Sequence, residues 1–223
     1  MGQTILTPKQ LNFLECVSAE KQIIENFYFT GGTVLSEFYL KHRLSEDIDL
    51  FSEYKEVDPK VTEAFLRRVS KRLGIMEIKP SQFLGLVSYV LVFEGGETLK
   101  VDFNYYPFPR INKGKKYKNL DIDSLYDIAV NKVHTLFMKP RSRDYVDLYC
   151  IMIAEKDYTL DKLILDAKAK FDWDIDRLNL GSQFIRVREF KRDYPKMLIP
   201  FSSYKMEDFF LYQAKNLKKE IFE

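Results

Sequence analysis

The stretch FTGGTVLSEFYLKHRLSEDIDLF, residues Phe29 to Phe51, sets two acids one residue apart inside an apolar run: Asp47 and Asp49 alternate with Ile48 and Leu50. A strand shows residues i and i+2 on one face, so the two carboxylates project together, about 6.6 Å apart along the chain. Carboxylates placed in this way suit Mg²⁺, which takes oxygen ligands and keeps positions open for water and substrate phosphates. A third acid would complete a two-ion site. Asp102, in LKVDFNY, is the candidate, because it too stands in an apolar strand and a neighbouring strand lies only about 4.8 Å away.

Upstream of the acids, Gly31-Gly32 closes the short strand in NFYFT and Thr33 opens a helix, TVLSEFYLKH. Phosphates approach a backbone closely only where no Cβ intervenes, and the first amides of a helix attract anions. Gly31, Gly32 and Thr33 therefore form a candidate phosphate-binding turn. A Gly-Gly pair alone is more often a plain turn, and it is the conjunction with Asp-x-Asp and a later strand acid that carries the reading.

Outward from this centre, Thr7-Pro8-Lys9-Gln10 predicts a capped helix running to about Glu20, and Asp58-Pro59 opens another that Gly74 ends. IMEIKP predicts a strand, and Phe83–Phe93 with Thr98–Tyr106 predicts a hairpin turning at Gly95-Gly96. After Asp121 the pattern is helical in DSLYDIAVNKVHTLFMKP, RSRDYVDLYCIMIAEK, TLDKLILDAKAKF and MEDFFLYQAKNLKKEIF, while FDWDIDRL predicts a loop or helix start. Strands first and helices later predict an α+β fold, with a core over residues 1–115 and a helical C-terminal domain over 116–223.

With 46% hydrophobic and 30% charged residues the chain is neither disordered nor membrane-spanning by composition. The N-terminal residues lack the pattern of a signal peptide, so the expected compartment is the cytoplasm. Cys16 and Cys150 have no metal-ligand spacing and are expected as buried free thiols, and His42 and His134 are expected as structural. The net charge of +2 excludes a polycation, but RINKGKKYKN, with Arg110, Lys113, Lys115, Lys116 and Lys118, is a local cluster able to meet phosphates. A solvated loop is the commoner explanation of such a run.

GGTVLSEFYLKHRLSEDIDLF resembles the signature of polymerase-β-type nucleotidyltransferases and, more narrowly, of the AbiEii/AbiGii toxins of bacterial abortive-infection and toxin–antitoxin systems. NKVHTLFMKPRSRDYVDLY is similar to a second motif of that family, and with Asp102 the resemblance covers roughly residues 28 to 150. It implies a polymerase-β-like core, a mixed sheet flanked by helices, with an added helical part. The implied activity is transfer of NMP from an NTP, with Mg²⁺ or Mn²⁺, to an RNA acceptor such as the 3′ end of tRNA, releasing pyrophosphate. By resemblance, Asp47, Asp49 and Asp102 are metal ligands, Gly31, Gly32 and Thr33 face the triphosphate, and Arg43 and Ser45 support the site. Lys132 would contact phosphates and Asp144 assist catalysis, while the bland reading makes Asp144, Asp147 and Arg143 salt bridges that orient a helix. An antitoxin partner is also implied. The alternatives are a protein-modifying nucleotidyltransferase, which the helical half disfavours, and a silent nucleotide- or RNA-binding module, which would have no reason to keep three strand acids.

Overall fold

The structure, a computed structural model, describes residues 4–190 and 193–222. The chain divides into two compact units, one of Met1–Tyr39 with Ser45–Ser124, the other of Leu40–Leu44 with Leu125–Glu223.

The first unit begins with α1 (Pro8–Ala19), whose start is built as its sequence predicts. The Thr7 hydroxyl accepts from the Gln10 amide at 3.2 Å, and the Gln10 side chain accepts from the Thr7 amide at 2.9 Å. The turn α2 (Lys21–Ile24) leads to β1 (Tyr28–Thr30), then α3 (Gly31–Val34) opens the predicted helix, which widens into a π-helical stretch over Leu35–Leu40. β2 (Ile48–Ser52) alternates between buried and half-buried residues, so Ile48 and Leu50 enter the core and Asp49 and Phe51 do not. In α4 (Pro59–Leu73) Asp58 caps the first turn, and Gly74, at φ +71°, ends the helix in the left-handed region.

β3 (Ile75–Phe83), β4 (Leu86–Phe93) and β5 (Thr98–Tyr105) follow, then a ribbon of β6 (Lys116–Tyr117) and β7 (Leu120–Asp121). The hairpin through Gly95-Gly96 is present, but Phe83 belongs to β3 instead of β4. The chain reverses at Leu84-Gly85, with Phe83 paired to Leu86. The five strands lie in the order β1-β2-β5-β4-β3, and β2 runs parallel to β5 while the other pairs are antiparallel.

Register assigns each residue to a face. Phe29, Ile48, Leu50, Val101, Phe103, Val87 and Tyr89 share the apolar face, all buried. α4 packs there, with the Thr62 hydroxyl 2.8 Å from the Tyr89 hydroxyl and Phe65 edge-on to Phe13 of α1 at 6.1 Å. The opposite face carries Thr30, Asp49, Asp102 and Ser88. Along the outer edge β3 is almost wholly exposed, and its charged residues and Pro80 suit an unpaired edge.

The second unit is helical: α5 (Leu125–Met138), α6 (Ser142–Ala154), α7 (Leu160–Phe171), α8 (Arg177–Ile185) continued by a 3₁₀ turn over Arg186–Phe190, and α9 (Ser203–Phe222). Asp176 caps α8, which makes FDWDIDRL a helix start. Val133, Leu136, Tyr145, Ile164, Phe184 and Phe210 are buried, and a buried ion pair joins Lys170 to Asp127 at 2.8 Å. The strip Leu40–Leu44 joins this unit through main-chain bonds: the Leu44 amide donates to the Lys196 carbonyl and the Leu198 amide to the His42 carbonyl, both at 2.9 Å. The mixed sheet with its helices, followed by helices alone, is the α+β architecture predicted from sequence. Among the described residues no helix is long and apolar enough to cross a membrane.

Candidate active site

Strand register draws two of the three predicted acids, Asp49 and Asp102, into one row, whereas Asp47, expected on the strand beside Asp49, lies in the loop just before β2. Thr30 pairs with Asp49 across β1 and β2, Asp49 with Asp102 across the parallel pair, and Asp102 with Ser88 across β5 and β4. Asp49 and Asp102 are thus direct cross-strand neighbours on one face. Gly31, at φ +80°, lies hard against this row: a Cβ there would collide with the Asp49 carboxylate. Both its conformation and the space require glycine. Thr30 gives the helix at Gly31 no side-chain cap, because its hydroxyl donates instead to Asp123 Oδ2 at 2.6 Å. Asp123 is fully buried, and its amide donates to the Phe29 carbonyl at 2.9 Å, so it fixes the strand end from which the glycine turn springs.

The loop bearing Asp47 is pinned from behind. The Thr33 hydroxyl donates to the Asp47 carbonyl at 2.5 Å and shares a 2.9 Å hydrogen bond with Ser45 Oγ. Gln10 Nε2 donates to the carbonyls of Ser45 and Glu46 at 3.0 and 3.1 Å. Thr33 is fully buried, so its hydroxyl serves the loop, while Asp47 and Asp49 remain half-buried and reachable.

Asp102 is held differently. Ser88 Oγ donates to Asp102 Oδ1, and Lys100 Nζ forms an ion pair with Asp102 Oδ2. Among the described residues no group of three His, Cys, Asp or Glu converges as a metal site. The donor set nevertheless fits a hard divalent ion, because Asp49 and Asp102 offer carboxylate oxygens from neighbouring positions on one face of the sheet. Asp102 stands in the right register with its oxygens already engaged.

Lys132 and Asp144 lie in a buried charge cluster of the second unit. Lys132 Nζ is 2.8 Å from Asp144 Oδ1 and 2.6 Å from Asp147 Oδ2, and Asp144 Oδ2 accepts from the Arg141 amide and Nε at 3.1 and 3.0 Å. Arg43 holds Asp147 in a fork, Nε to Oδ1 at 2.6 Å and Nη2 to Oδ2 at 2.9 Å, and His42 Nε2 is 2.8 Å from Oδ1. Arg43 is 2% exposed, so its guanidinium is a structural fork on α6. Burial would raise the Asp147 carboxyl, but Lys132 and Arg43 outweigh it and hold it well below the ordinary range. Asp144 is lowered in the same way, against its burial, by Lys132 and Arg141. Burial would depress the Lys132 ammonium, yet Asp147 and Asp144 keep it above the usual lysine value.

The basic loop is largely engaged within the protein. Arg110 pairs with Glu53 at 3.1 Å and stacks on Tyr28, Lys116 pairs with Asp121 at 3.0 Å, Lys118 pairs with Glu15, and Lys115 reaches the Phe38 carbonyl at 3.3 Å. Cys16 and Cys150 are free and buried, as expected, and burial pushes the Cys150 thiol up to about 12.

Such a sheet, with paired strand acids facing a glycine turn, is that of a nucleotidyltransferase. The match to the family model "Nucleotidyl transferase AbiEii toxin, Type IV TA system" runs over residues 12–214, and the chain belongs to that family. Solved structures share the fold. The chain is 18% identical to JHP933 from Helicobacter pylori, covering 96% of this chain and 94% of that one at a TM-score of 0.58. A second H. pylori structure, described as a nucleotidyltransferase, is 18% identical over 96% and 97% of the two chains, with a TM-score of 0.59. MenT4, a nucleotidyltransferase toxin from Mycobacterium tuberculosis, is 13% identical over 93% and 82%, with a TM-score of 0.60. No curated protein sequence matches the chain.

Sequence reasoning missed Gln10, Ser88, Lys100 and Asp123 as site residues. Ser88 and Lys100 flank an acid only once strand register is known, although Lys100 at i−2 of Asp102 carried a same-face signal.

Three outcomes are expected. Gly31→Ala places a Cβ against Asp49 in a left-handed backbone, lowering stability by about 1–2 kcal/mol in a denaturant titration and cutting nucleotidyl transfer on the order of 10²-fold. Asp147→Ala, which strips a buried carboxylate from its cations, costs about 3–5 kcal/mol. Because Asp144 and Asp147 are lowered in the folded state, the stability they confer is full above the unfolded carboxyl value of about 4 and is lost as pH falls through their folded values. Wild-type stability measured from pH 7 down to 3 should fall at the acid end, and Asp147→Asn should flatten that fall.

Proposed function

We propose that this nucleotidyltransferase is a metal-dependent toxin that transfers NMP from an NTP to an RNA acceptor, the 3′ end of tRNA, with release of pyrophosphate. The observation that carries the reading is the register of Asp49 with Asp102 beside the uncapped Gly31–Gly32 turn. Asp47 and Asp49, with Asp102 as third ligand, are assigned to Mg²⁺ or Mn²⁺, which when bound would neutralise the triphosphate and steady the attacking and leaving oxygens.

The amides of Gly31 and Gly32 face the phosphates in this reading, with Thr33 and Ser45 fixing the loop on which Asp47 is carried. Lys132 is assigned to phosphate contact and Asp144 to its orientation. Support comes from an ammonium held charged and in one place by two carboxylates, since nucleotidyl transfer depends on positioning and charge more than on covalent chemistry. Arg43 supports the site at one remove, through Asp147. The family implies a cognate antitoxin, and a tRNA acceptor makes the cytoplasm the place of action.

The test incubates the protein with Mg²⁺ or Mn²⁺, each α-labelled NTP in turn, and total tRNA or cell protein, beside Asp47→Ala/Asp49→Ala. Label in tRNA from one NTP, lost in the double variant, is the expected result. Label in protein instead would transfer the assignment to a protein-modifying enzyme, and no metal-dependent label in either pool would overturn it.

A further inference from the structure

In the acidic row Asp102 pairs with a cation of its own strand. Lys100 precedes it by two residues on β5 and therefore shares its face; Lys100 Nζ pairs with Oδ2 while Ser88 Oγ fills Oδ1 from β4. Asp102 is 7% exposed, so these side chains, and not bulk water, satisfy it. The Lys100 side chain is 43% exposed, on a flexible stem whose charged head reaches solvent. An ion shared by Asp49 and Asp102 would stand beside this ammonium and be repelled by it.

We propose that Lys100 is an internal counter-cation, a positioning residue that withholds Asp102 from divalent metal until a nucleotide triphosphate offers the ammonium another anion. The nucleotide-free protein then binds a divalent ion through Asp47 and Asp49, and Asp102 joins only when the triphosphate draws Lys100 away. The order of assembly follows: the second ion position forms with the substrate, not before it. A site organised in this way keeps the Asp102 carboxylate neutralised without nucleotide. The inference rests on the metal reading above and adds to it a residue that decides how many carboxylates are available.

The test is Mn²⁺ binding to nucleotide-free protein, read from the loss of the free-ion electron paramagnetic resonance signal. The proteins compared are wild type, Lys100→Met, Lys100→Gln, Asp47→Asn and Lys100→Met/Asp102→Asn. Methionine keeps the length of the stem and removes the charge, and the exposure of Lys100 makes both single variants compatible with the fold. The expected result is weak binding to wild type that Asp47→Asn abolishes, binding about tenfold tighter or a second ion in both Lys100 variants, and loss of that gain in the Lys100→Met/Asp102→Asn protein. Binding that depends on Asp47 but is unchanged by either Lys100 variant overturns the proposal and leaves the metal reading standing. Absence of Mn²⁺ binding in every protein, or binding indifferent to Asp47→Asn, overturns the metal reading and the proposal with it.

Discussion

The approach of the Gly31 backbone to the Asp49 carboxylate is the constraint around which the first unit is arranged. Only a residue without Cβ fits there, and only one tolerant of φ +80° turns the chain there from β1 into helix. Once that contact is made, β1 must lie beside β2, and Asp49 must face away from the core that Ile48 and Leu50 enter. Parallel pairing of β2 with β5 then sets Asp102 next to Asp49. The acids are placed by the same alternation that buries the apolar face, so the site and the core are one pattern read on two sides of the sheet.

Around that row the protein invests its buried polar contacts in holding main chain. Gln10, already engaged in the cap of α1, also grips the carbonyls of Ser45 and Glu46; Thr33 grips that of Asp47; Asp123 anchors Thr30 and the end of β1. These side chains fix the main chain that carries Asp47 and Asp49, and a loop fixed from several sides keeps its carboxylates in one place. In the helical unit the same principle appears with ions: Asp147, fully buried, is held by Arg43, His42 and Lys132, which restrains the strip Leu40–Leu44 against α6.

Much of this was legible in the sequence because its signals are local. Asp-x-Asp in an apolar run, Gly-Gly before a helix, the Thr7 capping box and the Asp58-Pro59 start each follow from steric or hydrogen-bonding rules within a few residues. The reversal at Leu84-Gly85 escaped because Leu84 takes φ +51°, a conformation uncommon for a bulky side chain, and no Asn-Gly pair marks the turn. Contacts between distant residues escaped for another reason. Arg43 with Asp147 and Thr30 with Asp123 are separated by 104 and 93 positions, and Ser88 meets Asp102 only through the register of β4 on β5. Chemistry singled out the acids as candidates, but that Asp102 is engaged by Ser88 and Lys100 depends on pairing that no short segment encodes.

The central claim, that the acidic row beside Gly31 is where metal and triphosphate meet, is tested most directly by crystallising the protein with Mn²⁺ and a non-hydrolysable NTP and locating manganese by its anomalous signal. The account predicts manganese on the carboxylates of Asp47 and Asp49, with phosphates along the Gly31–Gly32 turn. A nucleotide bound elsewhere, with these carboxylates bare, would contradict it.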